Sequence, residues 1–208
     1  MVSSKLLNTL YNFVIFTSNK YGIDESHSLG HSMDVFGLAN NIYQSELVKN
    51  PYIKDHENII ATSSILHDMI DRKYMNKNDG IIMIKDYMKD QITCEELDIS
   101  LQIMDTMSYS VVKKNGFPNL GTYQLAYNIV READLLASYE FDRAVMYKMY
   151  KYNDNYIDAY HDSLTLFKNR VLKYREDKLF TTSYSKTESL KLQMKAIRKM
   201  NNLARIIL

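Results

Sequence analysis

The residues best suited to chemistry lie within positions 63–74, where an apolar stretch ends in the adjacent pair His67 and Asp68. A second carboxylate, Asp71, and a lysine, Lys73, follow within one helical turn. If the stretch is helical, residues three and four apart share a face, so His67 and Asp71 are neighbours. A polar corner of this kind on a buried helix is costly unless something binds there. We therefore expect a divalent metal ion at this corner.

Further candidate ligands lie before and after this stretch. His27 and His31 are one turn apart at the start of a predicted second helix, and Asp134 belongs to a predicted long helix. Taken with the His67-Asp68 pair, His31 and Asp134 give the order H…HD…D. Two imidazoles and two carboxylates suit Mn²⁺, Fe²⁺, Co²⁺ or Ni²⁺ better than Mg²⁺ or Ca²⁺, which prefer oxygen ligands.

The elements that must position these residues are predicted to be helices. The chain of 208 residues contains two prolines and six glycines, and 46% of it is hydrophobic, which favours an all-α fold with one buried core. No strand-like alternation is present. The predicted helices cover residues 3–20, 56–74, 81–89, 94–107, 122–151, 155–175 and 187–208, and a further one begins at His27, includes Ile42 and ends before the break at Pro51. Residues 108–121 are predicted to form a loop.

Two helix starts have specific local signals. Ser3 or Ser4 is placed to cap the first helix. Thr93, with Glu96 three residues later, matches a capping box at the start of the 94–107 helix.

The ordered set His31, His67-Asp68 and Asp134 resembles the HD-domain superfamily of metal-dependent phosphohydrolases. The local contexts also match, because Leu-His-Asp follows small and apolar residues and the fourth position lies in Val-Arg-Glu-Ala-Asp-Leu-Leu. Within that superfamily, His-Asp-x-x-Asp-x-Lys-Tyr resembles the branch of bacterial nucleotide pyrophosphohydrolases. Two positions depart from that branch: Asp34 stands where a basic residue is frequent, and Ala137 stands where an acid is frequent.

The resemblance implies a single HD domain over residues 1–208, with its core at about 22–151 and helices at 155–208 packing on it. It also implies one divalent transition metal, with Mn²⁺ favoured. Its ligands are implied to be His31, His67, Asp68 and Asp134.

Roles for the surrounding residues are expected from their charge and position. Asp71 would serve as general acid/base or orient the attacking water, and Lys73 would neutralise phosphate charge. The alternatives to these roles are structural. Asp71 would form an ordinary ion pair with Arg72 or support a metal ligand, and Lys73 would only be solvated. His27 would contact phosphate or act only as a structural cap.

Three further basic residues are substrate-binding candidates. Lys113 and Lys114, on the predicted loop, would close over a polyphosphate or remain solvated. Arg131 would contact substrate or form a salt bridge with Glu132.

The predicted activity is hydrolysis of nucleoside triphosphates to monophosphate and pyrophosphate. Two alternatives stay open: a phosphatase acting on deoxynucleoside 5′-monophosphates, and a non-catalytic regulatory protein that binds nucleotides. The leading hypothesis and the phosphatase differ in their products, and the regulatory protein would release none.

Composition also indicates which binding partners and which cellular compartment are favoured. Lys+Arg number 26 against 25 Asp+Glu, so no strong positive field favours nucleic acid. The single cysteine, Cys94, excludes an internal disulfide and favours a reducing cytoplasm. No stretch has the length of a membrane span, and a homo-oligomer is compatible with the sequence. The basic final helix is interpreted as packed on the core with a solvated basic face rather than as a membrane or nucleic-acid contact.

Overall fold

Ten α-helices and no strand make up residues 2–207, the part of the chain that this computed structural model describes. The all-α prediction is therefore confirmed. The helices are α1 (Ser4–Tyr21), α2 (Leu29–Leu47), α3 (Glu57–Leu66), α4 (Lys77–Met88), α5 (Cys94–Thr106), α6 (Tyr109–Asn115), α7 (Gln124–Ala137), α8 (Phe141–Tyr152), α9 (Tyr156–Asn169) and α10 (Ser183–Ile207). Short 3₁₀ turns occur at Pro51–His56, Gly121–Tyr123 and Val171–Lys173.

Both predicted capping signals are present. The Ser3 hydroxyl accepts a hydrogen bond from the backbone N–H of Leu6, which starts α1. At α5 the Thr93 hydroxyl accepts from the N–H of Glu96, whose carboxylate accepts in turn from the N–H of Thr93. Each cap pairs backbone donors that a helix start leaves without an intrahelical acceptor.

The helix that carries the His-Asp pair is shorter than predicted, since α3 ends at Leu66 and residues 67–74 form turns. The imidazole of His67 accounts for this end. Its Nδ1 lies 2.9 Å from the carbonyl oxygen of Ser64, the acceptor that the N–H of Asp68 would need to continue the helix. His67 and Asp71 are therefore not neighbours on one helical face, and the expected helical spacing is wrong.

Several other predicted boundaries are also wrong. The expected helix over 155–175 ends at Asn169, and the expected helix over 187–208 begins at Ser183. The expected helix over 122–151 is two helices, α7 and α8, separated at residues 138–140. Tyr139 is buried there with its ring 6.0 Å from that of Tyr174, and Glu140 pairs with Lys195 and Lys199 of α10. These contacts are distant in sequence and therefore leave no local signal. The expected loop over 108–121 contains α6, which Ser108 caps.

Two hydrophobic clusters surround the central helices. One contains α1, α3, α4 and α5, and the other joins α2 and α7 to the helices that follow α7. Ala196 and Met200 of α10 are buried in the second cluster, where α10 packs against α7 and α2. The elements that carry the candidate ligands, α2, α3 and α7, all pack against one another, so the core fixes their relative positions.

The length and apolar character of the helices determine whether any of them could cross a membrane. Within residues 2–207, none combines the length and the apolar character that crossing a bilayer requires.

Candidate metal centre

Four side chains converge where α2, the end of α3 and α7 meet. His31 lies in the first turn of α2, His67 and Asp68 directly follow α3, and Asp134 is in the last turn of α7. His31 and His67 are buried, with 3% and 8% of their surface exposed, and both aspartates are half-buried. The structure therefore brings together all four residues of the predicted ligand set, although they are 103 positions apart from first to last.

The ligand atoms of these groups are close enough to share one ion. Nε2 of His31 lies 3.1 Å from Nε2 of His67, 3.5 Å from Oδ2 of Asp68 and 3.5 Å from Oδ1 of Asp134. Nε2 of His67 lies 3.2 Å and 3.7 Å from the same two oxygens. Adjacent ligands placed about 2.1 Å from an ion are about 3.0 Å apart in octahedral geometry and about 3.4 Å apart in tetrahedral geometry. His31, His67 and Asp134 therefore form a possible metal site, with Asp68 beside it.

The orientation of His67 suits a metal ligand. Because its Nδ1 lies 2.9 Å from the Ser64 carbonyl, that nitrogen carries a proton and donates it. Nε2 then faces His31 and the carboxylates. A second hydrogen bond of this kind is what normally fixes the tautomer and the ring plane of a metal-bound histidine.

The pKa values of the two histidines are shifted in opposite directions. Burial, assisted by the positive charge of Arg143, lowers the pKa of His31 to about 4. Burial also acts to lower the pKa of His67, but the charges of Asp68 and Asp134 outweigh it and raise that pKa to about 9. Without an ion, His67 is therefore protonated at neutral pH.

The carboxylates shift in the opposite sense to an ordinary buried acid. Burial favours the neutral carboxyl of Asp134, yet contact with His31 and the charge of His67 lower its pKa to about 2. For Asp68, burial is likewise outweighed by His67 and His27, and its pKa lies well below the usual range. Both groups are thus anionic at neutral pH, as metal ligands must be.

An unpaired atom provides a direct test of whether a cation fits. Oδ2 of Asp68 is buried 3.2 Å from the charged His67 ring, yet no residue in the described range 2–207 reaches it in good hydrogen-bond geometry. A buried carboxylate oxygen without a donor is costly, and a bound cation removes that cost. Since this oxygen is 3.2–3.5 Å from both Nε2 atoms, the donor set fits a divalent ion.

The cluster lies in a cleft of about 700 Å³. Asp71 and Lys73 line this cleft, on the turns that follow Asp68. Oδ1 of Asp71 accepts a hydrogen bond from the backbone N–H of Lys73, and Oδ2 lies 3.2 Å from its Nζ. The Lys73 ammonium is also 5.4 Å from the centre of the Tyr147 ring. The two predicted catalytic residues therefore form one ion pair at the side of the cleft.

His27 also lines the cleft, in the turn before α2 rather than on the helix itself. Its Nδ1 lies 2.6 Å from Oγ of Ser26, and Ser26 donates to Asp24. The Tyr74 hydroxyl donates to the other Asp24 oxygen at 2.5 Å. Burial acts to raise the pKa of Asp24, but hydrogen bonds from His27, Ser26 and Tyr74 hold it well below its usual range. This hydrogen-bond network holds the His27 ring in place in the cleft.

Three predicted substrate contacts are not among the residues that line the cleft. Lys113 and Lys114 are exposed on α6, and Nζ of Lys113 donates to the Tyr109 hydroxyl at 3.0 Å. They lie on a helix because the Ser108 cap turns the expected flexible segment into ordered structure. Neither ammonium reaches the cleft in this arrangement.

Arg131 is enclosed in the core, with 1% of its surface exposed. It lies beside Glu132, at 3.3 Å, with the Phe117 ring 4.6 Å from its guanidinium carbon. On α7, Arg131 is three residues from Asp134, yet its side chain is sealed beneath Phe117. The expected direct contact with substrate is therefore replaced by the salt bridge with Glu132.

Three arginines of the cleft, Arg72, Arg143 and Arg170, were not among the predicted site residues. Arg143 of α8 donates from Nη1 to the backbone carbonyl of Ser26 at 3.0 Å, which places it beside the His27 turn and near His31. Arg170, after α9, lines the same cleft. Neither Arg143 nor Arg170 belongs to a local motif, because the chain reversal at 138–140 and the turn after α9 bring them to the site.

Comparisons with known proteins establish the fold alone. No protein-family model and no curated protein matches the sequence. A crystal structure of a Lactobacillus plantarum protein, determined as a structural genomics target, aligns with a TM-score of 0.72 over 99% of this chain and 98% of that one. The two sequences are 17% identical, so this similarity supports the helical architecture and carries no function.

Proposed function

We propose that this chain is a metal-dependent phosphohydrolase of the HD-domain type. In this proposal it hydrolyses nucleoside triphosphates to monophosphate and pyrophosphate. The supporting observation is the convergence of His31, His67, Asp68 and Asp134 on one point in a cleft that also contains cationic side chains. A mixed set of two imidazoles and two carboxylates is typical of sites for Mn²⁺ or Fe²⁺, and Mn²⁺ is favoured here.

The four convergent residues would hold a single ion. The chemistry supplied by a bound ion of this kind is activation of water and withdrawal of charge from phosphorus. Two of the four groups are anionic, and the tautomer of His67 is fixed by Ser64. Because the core packs α2, α3 and α7 together, the donors are held in place before any ligand arrives.

The proton and the leaving group are handled by residues around the cluster. In the proposed reaction the oxygen of the attacking water bonds to the α-phosphorus, and Asp71 takes a proton from that water. The bond from that phosphorus to the bridging oxygen breaks, and pyrophosphate leaves with the electron pair. Lys73, paired with Asp71, and Arg143, beside His31, supply positive charge as the leaving group forms. His27, fixed by Ser26, contacts a phosphoryl oxygen.

Product analysis tests this proposal. Purified protein is incubated with Mn²⁺ and each nucleoside triphosphate, and the products are separated. We expect monophosphate with stoichiometric pyrophosphate, and no turnover after chelation of the metal. Diphosphate with orthophosphate, or hydrolysis confined to monophosphates, would instead favour the phosphomonoesterase. Nucleotide binding by metal-loaded protein without any product would favour the regulatory alternative.

A matched pair of histidine variants links the result to the site. His67→Ala should abolish turnover, whereas His161→Ala, at an exposed position of α9 outside the cleft, should retain it. Equal activity of the two variants would contradict the assignment of the site.

A further inference from the structure

The basic side chains of the cleft differ in whether their charge is already compensated. Lys73, Lys77 and Lys148 each lie within ion-pair distance of a carboxylate. Arg72, Arg143 and Arg170 have no carboxylate partner within residues 2–207. Arg72 is exposed, whereas Arg143 and Arg170 are half-buried and each donates to a neutral oxygen. Half-buried guanidinium groups without a counterion leave uncompensated positive charge in the cleft. An anionic ligand would balance it.

Arg170 is held in a defined orientation by two tyrosines, and we call Tyr109, Arg170 and Tyr174 the Arg170 cradle. The guanidinium carbon lies 4.5 Å from the centre of the Tyr109 ring. Its Nε donates to the Tyr174 hydroxyl at 3.1 Å, and Tyr174 is 1% exposed. No residue in the described part of the chain accepts a hydrogen bond from Nη1 or Nη2. The stacked face and the Nε are thus used, while the two terminal nitrogens keep their donors for a ligand.

The Arg170 cradle is connected to the metal centre through one side chain. Ser138 follows Asp134 by four residues, which is about 6 Å along the helix axis. Its hydroxyl lies 3.4 Å from that of Tyr174. Tyr109, Ser138, Arg170 and Tyr174 line the same cleft as the four candidate ligands. A ligand extending from the cluster past Ser138 would therefore meet the terminal nitrogens of Arg170.

We propose that the Arg170 cradle is the subsite for the terminal phosphates of a nucleoside polyphosphate, the part of the substrate that the metal centre does not hold. This inference rests on the proposed function for the identity of the substrate. The planar fork of a guanidinium matches two phosphoryl oxygens at once, which a lysine ammonium does not. The Tyr109 face that a nucleobase would need is occupied by the guanidinium, so phosphate is favoured over a base at this position.

Binding of inorganic tripolyphosphate to the metal-free protein tests the subsite without turnover. The full chain is treated with chelator, and tripolyphosphate is titrated by calorimetry into wild type, Arg170→Gln and Lys168→Gln. Lys168 is an exposed residue of α9 outside the cleft, so its variant removes the same charge two residues away. We expect Arg170→Gln to weaken binding roughly 10- to 100-fold and Lys168→Gln to change it less than about twofold.

Two further variants keep the test decisive if Arg170→Gln does not fold. Arg170→Lys retains the charge but loses the fork, and Tyr174→Phe retains the packing but loses the acceptor for Nε. Each should weaken tripolyphosphate binding by about three- to tenfold, with the melting temperature followed as a check on folding.

The outcomes separate this inference from the proposed function. Loss of binding confined to variants of the Arg170 cradle supports the subsite even if no nucleotide is hydrolysed. No measurable binding by wild type, or equal binding by folded Arg170→Gln and Lys168→Gln proteins, would overturn it. In that case pyrophosphate release by wild type would still leave the proposed function standing.

Discussion

The segment Asp71–Lys77 and the Arg170 cradle border the same cleft, yet their charges are arranged differently. In the segment, Lys73 pairs with Asp71 and Lys77 with Asp105, so both ammonium groups are compensated before a ligand arrives, whereas the exposed Arg72 has no carboxylate partner within residues 2–207. In the Arg170 cradle the guanidinium is held by a ring and a hydroxyl and keeps its full charge. Lys73, the cation expected to act beside the candidate ligands, is therefore less available to an anion than Arg170. We assign proton transfer to the segment and polyphosphate binding to the Arg170 cradle.

The largest effect is expected from the four convergent residues, because the roles proposed for both regions depend on them. His67→Ala and Asp68→Ala each remove one of the convergent ligand atoms, so metal retention and turnover should both fall to background. Metal content by atomic emission and product formation are measured on the same preparations. A variant that kept its metal stoichiometrically and hydrolysed triphosphates normally would remove the basis for comparing the two regions.

A smaller effect, confined to the chemical step, is expected from the segment. Asp71→Asn keeps the shape of the side chain but cannot take a proton, so kcat should fall by about 10²- to 10⁴-fold while the metal is retained. The KM for triphosphate should change little, since Asp71 is assigned to proton transfer rather than to binding of the terminal phosphates. Unchanged kcat with unchanged metal content would make Asp71 structural and would end its assignment to proton transfer.

The Arg170 cradle should act mainly on KM. Arg170→Gln should raise the KM for triphosphates by about 10- to 100-fold, whereas Lys73→Gln, whose charge is already paired with Asp71, should raise it by about threefold. Both variants should affect monophosphates much less, because those lack the terminal phosphates. Steady-state kinetics with triphosphates and with monophosphates measures these KM effects. The reverse order of the two KM effects would place the tail beside Lys73.

The metal centre should respond to pH in a direction that follows from His67. Its pKa is raised to about 9 in the absence of metal, so it carries a proton at neutral pH that must leave before the imidazole can ligate. Mn²⁺ affinity should therefore rise by about tenfold per pH unit between pH 6 and 8 and level off above about pH 9. Calorimetry in buffers of different ionisation enthalpy should give about one proton released per ion. Flat affinity over this range would contradict the raised pKa of His67.

Much of the fold and of the metal cluster could be predicted because their signals are local or ordered along the chain. Ser3 and the Thr93-Glu96 pair indicate helix starts directly, and the order of His31, the His67-Asp68 pair and Asp134 indicates the convergent set. The end of α3 could not be predicted, because it depends on a hydrogen bond between the His67 ring and the Ser64 carbonyl. A helical pattern alone does not reveal that competition.

The remaining errors arise from contacts that are distant in sequence. The break between α7 and α8 is stabilised by Tyr139 against Tyr174 and by Glu140 against α10. That same reversal brings Arg143 to the cleft. Conversely, Arg131 is close to Asp134 in sequence but is covered by Phe117. Proximity along the chain therefore predicts which residues share a helix, whereas tertiary packing decides which of them face the cleft.

The smallest effect on turnover is expected at Glu132, which allows the buried Arg131 to be compared with Arg170. The Glu132 carboxylate is fully buried and accepts hydrogen bonds from the backbone N–H and hydroxyl groups of Thr181 and Thr182, just before α10. Glu132→Gln removes an acceptor and leaves Arg131 buried without its carboxylate, so the free energy of unfolding should fall by about 3 kcal/mol.

Denaturant unfolding measures that loss, and tripolyphosphate binding by the folded fraction provides the contrast. Arg131 is sealed in the core, so its counterion should be important for stability and should leave tripolyphosphate affinity within about twofold of wild type. Arg170 should have the opposite profile, because it lines the cleft and its terminal nitrogens donate to no residue in the described part of the chain. If Glu132→Gln instead strengthened tripolyphosphate binding by more than about twofold, the anion would be bound by the general positive charge around α7, which this variant increases. The orientation imposed by Tyr109 and Tyr174 would then have no specific role in binding.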